Sequence, residues 1–395
     1  MDFATKTIHA GQPSEPQTGA VVSPIFQTTT YQQIGPGEHR GFDYTRTSNP
    51  TRKRLEVVLA ELEGASHAAV FGSGLAAENA ILTAYLKPGT EIVVPGDVYG
   101  GTFRMLHKVF EPNGCIITRV DFSDLAAVQR VVTSRTKIVW LESPTNPRLL
   151  VYDIAAISRI AHAAGALVVV DNTFATPYFQ QPFALGADLV VHSVTKYLAG
   201  HSDLVQGAVI GNDAAIFEPV GFLQNALGGV PGPFDCWLTL RGLKTMELRM
   251  LRHAENATAV AEALTKHSRV RRVYFPGLPS HPGHDIARRQ MTGFGGMVSF
   301  ELDGTPEEAA AFTSSLKYFA LGESLGGVRA LVCLPCKMTH ASIPAATRAE
   351  LGLSDTLIRL SPGCESPRDL VADLVEGLDR LGARANKAER ESVGV

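Results

Sequence analysis

Two segments of the chain end in residue types that together suit one kind of chemistry. Val168-Val169-Val170-Asp171-Asn172 is an apolar strand pattern closing on a carboxylate. Val190-Val191-His192-Ser193-Val194-Thr195-Lys196 is another, running out into two hydroxyls and an amine. A pyridoxal phosphate ring requires an amine for a Schiff base, an anion against its ring nitrogen and donors for its phosphate. In an open α/β sheet, ligands bind at the carboxyl ends of strands, where both segments deliver their polar residues. Ser193 and Thr195 stand two apart, on the same side of an extended chain, and can both reach one phosphate. An Asp after a strand is often only a cap or turn residue, and a Lys there is usually solvated. It is their joint occurrence at two strand ends that gives them weight. A third segment, Phe71-Gly72-Ser73-Gly74-Leu75-Ala76-Ala77, sets glycines between a strand and a helix, a place where backbone N–H groups can face a phosphate. It is neither GxGxxG nor a loop ending in Gly-Lys-Ser/Thr, which counts against dehydrogenases and nucleotide triphosphatases.

The elements that must position these residues follow from apolar spacing. Asn49-Pro50-Thr51 reads as a helix start, with Leu55, Val58, Leu59 and Leu62 at helical intervals behind it. Strands are expected at His67–Phe71, Glu91–Pro95, Cys115–Val120, Lys137–Leu141, Leu167–Asp171, Asp188–His192 and Ala208–Ile210. Helices are expected between them at Leu75–Tyr85, Thr102–Phe110 and Ile154–Ala164. Near-continuous Val/Ile strands alternating with helices predict an α/β fold with a mostly parallel sheet covered on both faces. The apolar pattern of Phe234–Leu264 predicts one or more long helices leaving it. Beyond lie strand patterns at Met297–Leu302, Val328–Val332 and Leu357–Ser361 and a closing helix at Asp369–Leu381, a smaller C-terminal α+β domain. Three regions result: an unpatterned arm at 1–48, an α/β domain at 49–246 and the α+β domain at 247–395, with a polar, frayed tail after about Ala383.

Composition narrows the classes. A chain of 395 residues exceeds what one core usually serves. With 45% hydrophobic and 19% charged residues it reads as a soluble globular protein. A net charge of −3 and a pI near 6.5 leave no basic footprint for nucleic acid. No apolar run approaches the roughly 20 residues that span a bilayer, and Met1 to Gln12 lacks the pattern of a secretory signal. Five cysteines, an odd and sparse set, suit free thiols in a cytoplasmic enzyme.

Longer motifs carry a resemblance. Tyr44-Thr45-Arg46-Thr47-Ser48-Asn49-Pro50-Thr51, Tyr99-Gly100-Gly101-Thr102, Glu142-Ser143-Pro144-Thr145-Asn146-Pro147, Val170-Asp171-Asn172-Thr173-Phe174 and Ser193-Val194-Thr195-Lys196-Tyr197 resemble the Cys/Met-metabolism family of pyridoxal-phosphate enzymes. Glu323-Ser324-Leu325-Gly326-Gly327, Met338-Thr339-His340-Ala341 and Arg359-Leu360-Ser361 extend the resemblance, in order, to nearly the whole chain. It implies the pyridoxal-phosphate-dependent transferase fold of the aspartate-aminotransferase type. It implies that Lys196 is the Schiff-base lysine and proton shuttle, that Asp171 pairs with the ring nitrogen, and that Tyr99 stacks on the ring and shares in acid–base steps. Gly74, Leu75, Ser193 and Thr195 would hold the phosphate, and Asn146 would lie near the ring hydroxyl and the substrate. Tyr44 and Arg46 would reach the phosphate of a neighbouring subunit, which makes the expected assembly a homotetramer of two close dimers. Arg359 would grip the substrate carboxylate, supported by Ser324.

Within the family, Glu323 before Ser-Leu-Gly resembles the cystathionine γ-lyase and γ-synthase branch, and Asp43 adds a second acid. Two carboxylates there can hold the distal ammonium of cystathionine. The expected reaction is γ-elimination of L-cystathionine, with γ-synthase chemistry on O-acyl-homoserine and cysteine as the alternative. Methionine γ-lyase, homoserine-ester sulfhydrylase, an idle binding protein on the same fold and an NAD-type oxidoreductase rank lower. Arg329-Ala330 departs from the family's common Glu-Ser, and Cys333-Leu334-Pro335-Cys336 invites a zinc or redox reading; zinc would need two further ligands at suitable spacing and a thioredoxin-like role a different fold, so two thiols near an ordinary loop are expected. No metal is expected.

Overall fold

The computed structural model describes residues 1–341 and 345–392. The chain divides into two units. Unit 1 comprises Met1–Gly96, Gly101–Ser143 and Tyr152–Leu248, and unit 2 comprises Asp97–Gly100, Pro144–Val151 and Arg249–Val395.

Unit 1 is built on seven strands: β1 (His67–Phe71), β2 (Glu91–Pro95), β3 (Ile116–Val120), β4 (Thr136–Glu142), β5 (Leu167–Asp171), β6 (Leu189–Ser193) and β7 (Gly207–Gly211). They pair in the order β1-β7-β6-β5-β4-β2-β3. The ladders from β3 through β6 are parallel, and β7 runs antiparallel to β6 and β1. Val93, Val139, Val168, Val169, Val170 and Val190 are all buried, so the strands are apolar on both faces, as a covered parallel sheet requires. The first long helix, Pro50–Glu63, begins where the sequence places it. Asn49 accepts from Thr51 N at 2.9 Å, Pro50 takes the first turn, and Gly64 at φ +67° ends it.

Unit 2 holds β8 (Val270–Tyr274), β9 (Val298–Leu302), β10 (Ala320–Leu321), β11 (Leu331–Cys333) and β12 (Leu357–Ser361), ordered β10-β11-β12-β9-β8. Val298, Phe300 and Leu360 from the strands pack with Phe312 and with Leu370, Leu374 and Leu378 of the closing helix in one core.

Several elements depart from expectation. The segment expected as a helix over Thr102–Phe110 is an α-helical turn, Gly100–Met105, followed by π-helix over Leu106–Phe110. Phe234–Leu264, expected as one or more long helices, does form helices, Pro233–Leu243 and Met246–Thr265. The strand expected at Val328–Val332 forms only from Leu331, because Ser324 at φ +105° and Gly326 at φ +75° turn the preceding chain away from extended geometry. β8, β10 and the helix Ala214–Leu227 were not expected. The closing helix continues to Ser392, through the stretch expected to fray, and residues 393–395 lie outside the described residues. Among the described residues, no helix is long and apolar enough to cross a membrane.

Candidate functional site

In unit 1 the end of β5 carries Asp171 and the end of β6 carries Ser193 on adjacent parallel strands. A short relay ties them: Ser193 N–H donates to Thr173 Oγ1 at 2.8 Å, and Thr173 N–H donates to Asp171 Oδ1 at 2.9 Å. Burial pushes the Asp171 carboxyl up, while the Thr173 hydroxyl and N–H and the nearby His192 favour its anion. Beneath it, on the helix Gly74–Tyr85, lies Glu78, buried and receiving the Thr102 hydroxyl at 2.7 Å. Burial and the Asp171 charge push Glu78 up to about 8. Of the two carboxyls, Glu78 is the one held protonated near neutral pH. No expectation from sequence included Glu78. Its sequence signal is an acid in the run Leu75–Leu82, which is apolar apart from Glu78 and Asn79.

The N-terminus of the Gly74–Tyr85 helix is seated against these strand ends by the absence of side chains. A Cβ on Gly207 would stand 2.2 Å from Ser73 O, and one on Gly74 would stand 3.1 Å from Ser193 Cβ. Ser73 caps the helix by accepting from Ala76 N at 3.0 Å. The helix start holding Gly74 and Leu75 is thereby brought to Ser193. Thr195 has another engagement: its hydroxyl donates to Gln206 O at 3.1 Å and accepts from Gln206 N at 2.9 Å. Lys196 follows in a turn closed by Lys196 N to Ser193 O and Gly200 N to Lys196 O. Its neighbours Val194, Tyr197, Leu198 and Ala199 are buried, and Gly242 lets the helix Pro233–Leu243 approach Ala199 O to within 2.2 Å of where a Cβ would be. Lys196 itself is half-buried.

Unit 2 gathers the residues expected around a substrate. Arg359 on β12 is buried and donates from Nη1 to Asn146 Oδ1 at 2.8 Å and from Nη2 to the Ser324 carbonyl at 3.0 Å. Ser324 thus supports Arg359 through its main chain, at a φ that its side chain would not choose. Asn146, expected near a ring hydroxyl, has its amide oxygen on Arg359 and its carbonyl on His340 Nε2 at 3.2 Å. Ser299 steadies the same loop by donating to Pro147 O at 2.6 Å. Tyr99 is half-buried next to Gly100, where a Cβ would stand 2.7 Å from Thr339 O, so a glycine is required beside the Met338–His340 turn. Glu323 is exposed, and its charge is felt at Cys333.

The arm residues have local partners. Tyr44 is exposed, Asp43 Oδ1 accepts the Tyr44 N–H at 2.7 Å, and Arg46 donates to Asn225 Oδ1 at 3.2 Å while lying 5.5 Å from the Tyr44 ring centre. Cys333 and Cys336 are both buried free thiols facing different partners. Cys336 Sγ contacts Asp355 O at 3.5 Å, whereas Cys333 lies opposite Arg359 in the β11–β12 ladder. Among the described residues no group of His, Cys, Asp and Glu is arranged for a metal ion.

A mostly parallel sheet with a carboxylate, hydroxyls, a helix N-terminus and a lysine at its strand ends is the layout of a pyridoxal-phosphate enzyme, and residues 4–379 match the Cys/Met metabolism PLP-dependent enzyme family. The chain belongs to that family. It is 50% identical over 379 residues to a cystathionine gamma-lyase of Dictyostelium discoideum, covering 96% of this chain and 98% of that one. It is 51% identical over 377 residues to a cystathionine beta-lyase of Lactococcus lactis subsp. cremoris, covering 95% and 98%. The crystal structure of cystathionine gamma synthase from Xanthomonas oryzae pv. oryzae in complex with cystathionine superposes with a TM-score of 0.94 at 45% identity, over 97% of this chain and 99% of that one. The fold is that of these enzymes, and the cofactor is pyridoxal phosphate. The residues present fit it. Asp171 is a half-buried carboxyl at a strand end whose charge a protonated ring nitrogen would balance, and the glycine-lined start of the Gly74–Tyr85 helix leaves room at Ser193 that side chains would fill.

Proposed function

We propose that this enzyme catalyses γ-elimination on L-cystathionine, which with water yields cysteine, 2-oxobutyrate and ammonia. The observation carrying the reading is the exposed Glu323 carboxylate, next in sequence to the Ser324 carbonyl that receives Arg359. A guanidinium for an α-carboxylate followed by an acid suits an amino acid with a second ammonium group at its far end, as cystathionine has and methionine lacks.

Pyridoxal phosphate, when bound, supplies the electron sink for charge formed at the substrate Cα. Asp171 would hold the ring-nitrogen proton, and Lys196 Nζ would take the Cα proton and return protons to the substrate. Ser193, Thr195 and the N–H groups of Gly74 and Leu75 hold the phosphate, Thr195 doing so by turning its hydroxyl from Gln206. Arg359 fixes the carboxylate, and Tyr99 covers the ring and shares the proton transfers. Asp43 joins Glu323 at the distal ammonium. The protein works as a homotetramer in the reducing cytoplasm, with Tyr44 and Arg46 serving a neighbour's phosphate. Free cysteines throughout and apolar side chains left exposed on unit 1, among them Val21, Phe222, Leu227 and Leu248, support this.

γ-Replacement is the second reading, favoured by the likeness to a γ-synthase that holds cystathionine. A product assay separates the two. Cystathionine should give 2-oxobutyrate with little pyruvate, faster than O-acyl-homoserine plus cysteine gives cystathionine. Negligible 2-oxobutyrate would sink the γ-lyase reading.

A further inference from the structure

We propose that Arg52 is a positioning residue for the cofactor phosphate, fixing the arm turn so that Tyr44 and Arg46 are presented in one geometry to a neighbouring subunit; this rests on those two residues serving a neighbour's phosphate.

Arg52 stands in the first turn of the helix Pro50–Glu63 and is only 2% exposed. An arginine is almost never buried so far unless its charge is paired and its donors are engaged. Its partners lie on the turn just before it. Nη1 donates to the Thr45 carbonyl at 2.8 Å, and Nη2 donates to the carbonyls of Arg46 at 3.0 Å and Thr47 at 2.9 Å. One planar fork thus grips three successive peptide groups, and Ser48 N–H closes the same turn on the Tyr44 carbonyl at 3.0 Å.

The charge is answered by Glu56, one helical turn on, whose Oε1 lies 3.6 Å from Arg52 Nε. Glu56 Oε1 also accepts from Gln224 Nε2 at 3.1 Å, and Gln224 donates to the Val70 carbonyl at 2.7 Å. The next residue, Asn225, accepts from Arg46 Nε at 3.2 Å. Arg46 is therefore held at both ends, its carbonyl by Arg52 and its guanidinium by Asn225. Both holders trace to the helix Ala214–Leu227, one directly and one through Glu56 and Gln224. Carbonyls of a surface turn can be satisfied by water, so they do not need a buried cation. What three bonds from one rigid group add is a single turn conformation, which cuts the ordering cost when the arm meets a phosphate.

The test titrates apoenzyme with pyridoxal phosphate, with the oligomer checked by sedimentation. Arg52→Lys keeps a charge beside Glu56 and gives up the fork, and it should raise the Kd about tenfold, as Arg46→Ala should. Mixed oligomers separate an effect on the neighbour from an effect on the residue's own subunit, since only sites bearing Lys196 give the lysine-bound cofactor's visible band. When Arg52→Lys chains are co-expressed with Lys196→Ala chains, about half of the lysine-bearing sites gain an intact arm and should recover the parent affinity. When both substitutions sit on one chain mixed with the parent, about half of the parent's lysine-bearing sites should weaken. A merely structural role for Arg52 predicts the reverse, no recovery in the first mixture and no weakening in the second, and would overturn the proposal. Should Arg52→Lys assemble poorly, Arg52→Met combined with Glu56→Met removes both buried charges together and should give the same pattern. If Arg46→Ala weakens binding in this crosswise manner and the Arg52 variants do not, the proposal falls alone. If Arg46→Ala binds the cofactor as the parent does, the reading beneath it falls too.

Discussion

Asp171 stands out in the sequence because it ends an apolar strand and Lys196 because it closely follows one, and the structure adds a proton balance that no spacing reveals. Glu78, one turn into the helix that starts at Gly74, holds a proton at neutral pH beside the Asp171 charge. An acid on a helix is ordinarily solvated, which is why its burial near Asp171 is not legible in the sequence. Folding raises the Glu78 pKa from 4.5 to about 8, so the folded state binds a proton that the unfolded state has released. Stability from this residue is therefore complete below about pH 4.5 and is lost as pH rises toward about 8. Glu78→Gln should remove that slope and make the apoenzyme more stable than the parent near pH 8, by roughly 2–4 kcal/mol, with the two converging below about pH 4.5. Urea unfolding across that range checks it, and parallel slopes would refute the assignment. Residue type does not tell which atom a polar residue works through. Ser324 meets Arg359 through its carbonyl, and the Thr195 hydroxyl is engaged by Gln206. Both depend on backbone angles that residue type does not encode.

Among elements, strands buried on both faces were the most legible: β1, β2 and β5 fall where the apolar runs place them. β8 was hidden because Arg271 and Arg272 break its apolar character, and it lies at a sheet edge where two of its side chains are exposed. β10, two residues long, offers no pattern at all. The joints between elements were also illegible, since a glycine in sequence does not announce what it must clear. Gly207 is the clearest case, as its neighbour across the joint is backbone and cannot rotate away. Gly207→Ala should shift the start of the Gly74–Tyr85 helix, at a cost of about 1–3 kcal/mol, and weaken retention of pyridoxal phosphate. Gly229→Ala, whose Cβ would meet Phe71 at an ordinary 3.5 Å, should retain it as the parent does. Cofactor release by dialysis, followed by absorbance, compares them. Equal release from both variants would show that the close approach at Gly207 is not what forms the cradle.

For the whole molecule, the proposed assembly makes the arm the decisive region. Residues 1–48 contain one short helix, Phe3–His9, and otherwise turns and isolated bridges, with Tyr44 and Arg46 exposed. Arg46→Ala should raise the dissociation constant for pyridoxal phosphate about tenfold while leaving the oligomer intact. Fluorescence titration of the apoenzyme with sedimentation alongside measures both, and unchanged affinity would remove the arm from the cofactor site. The division of the chain has a consequence of another kind. Unit 2 takes Asp97–Gly100 and Pro144–Val151 from the middle of unit 1's sequence, so the polypeptide passes between the two units five times. Asn146 leaves the ribosome more than 200 residues before Arg359, its hydrogen-bond partner 213 positions away. During synthesis these two early segments must wait, attached to strands that can already pair, until the last of the chain arrives. Neither unit can be cut out by a single excision, and a gene fragment beginning at Arg249 encodes the arginine without the asparagine that orients it.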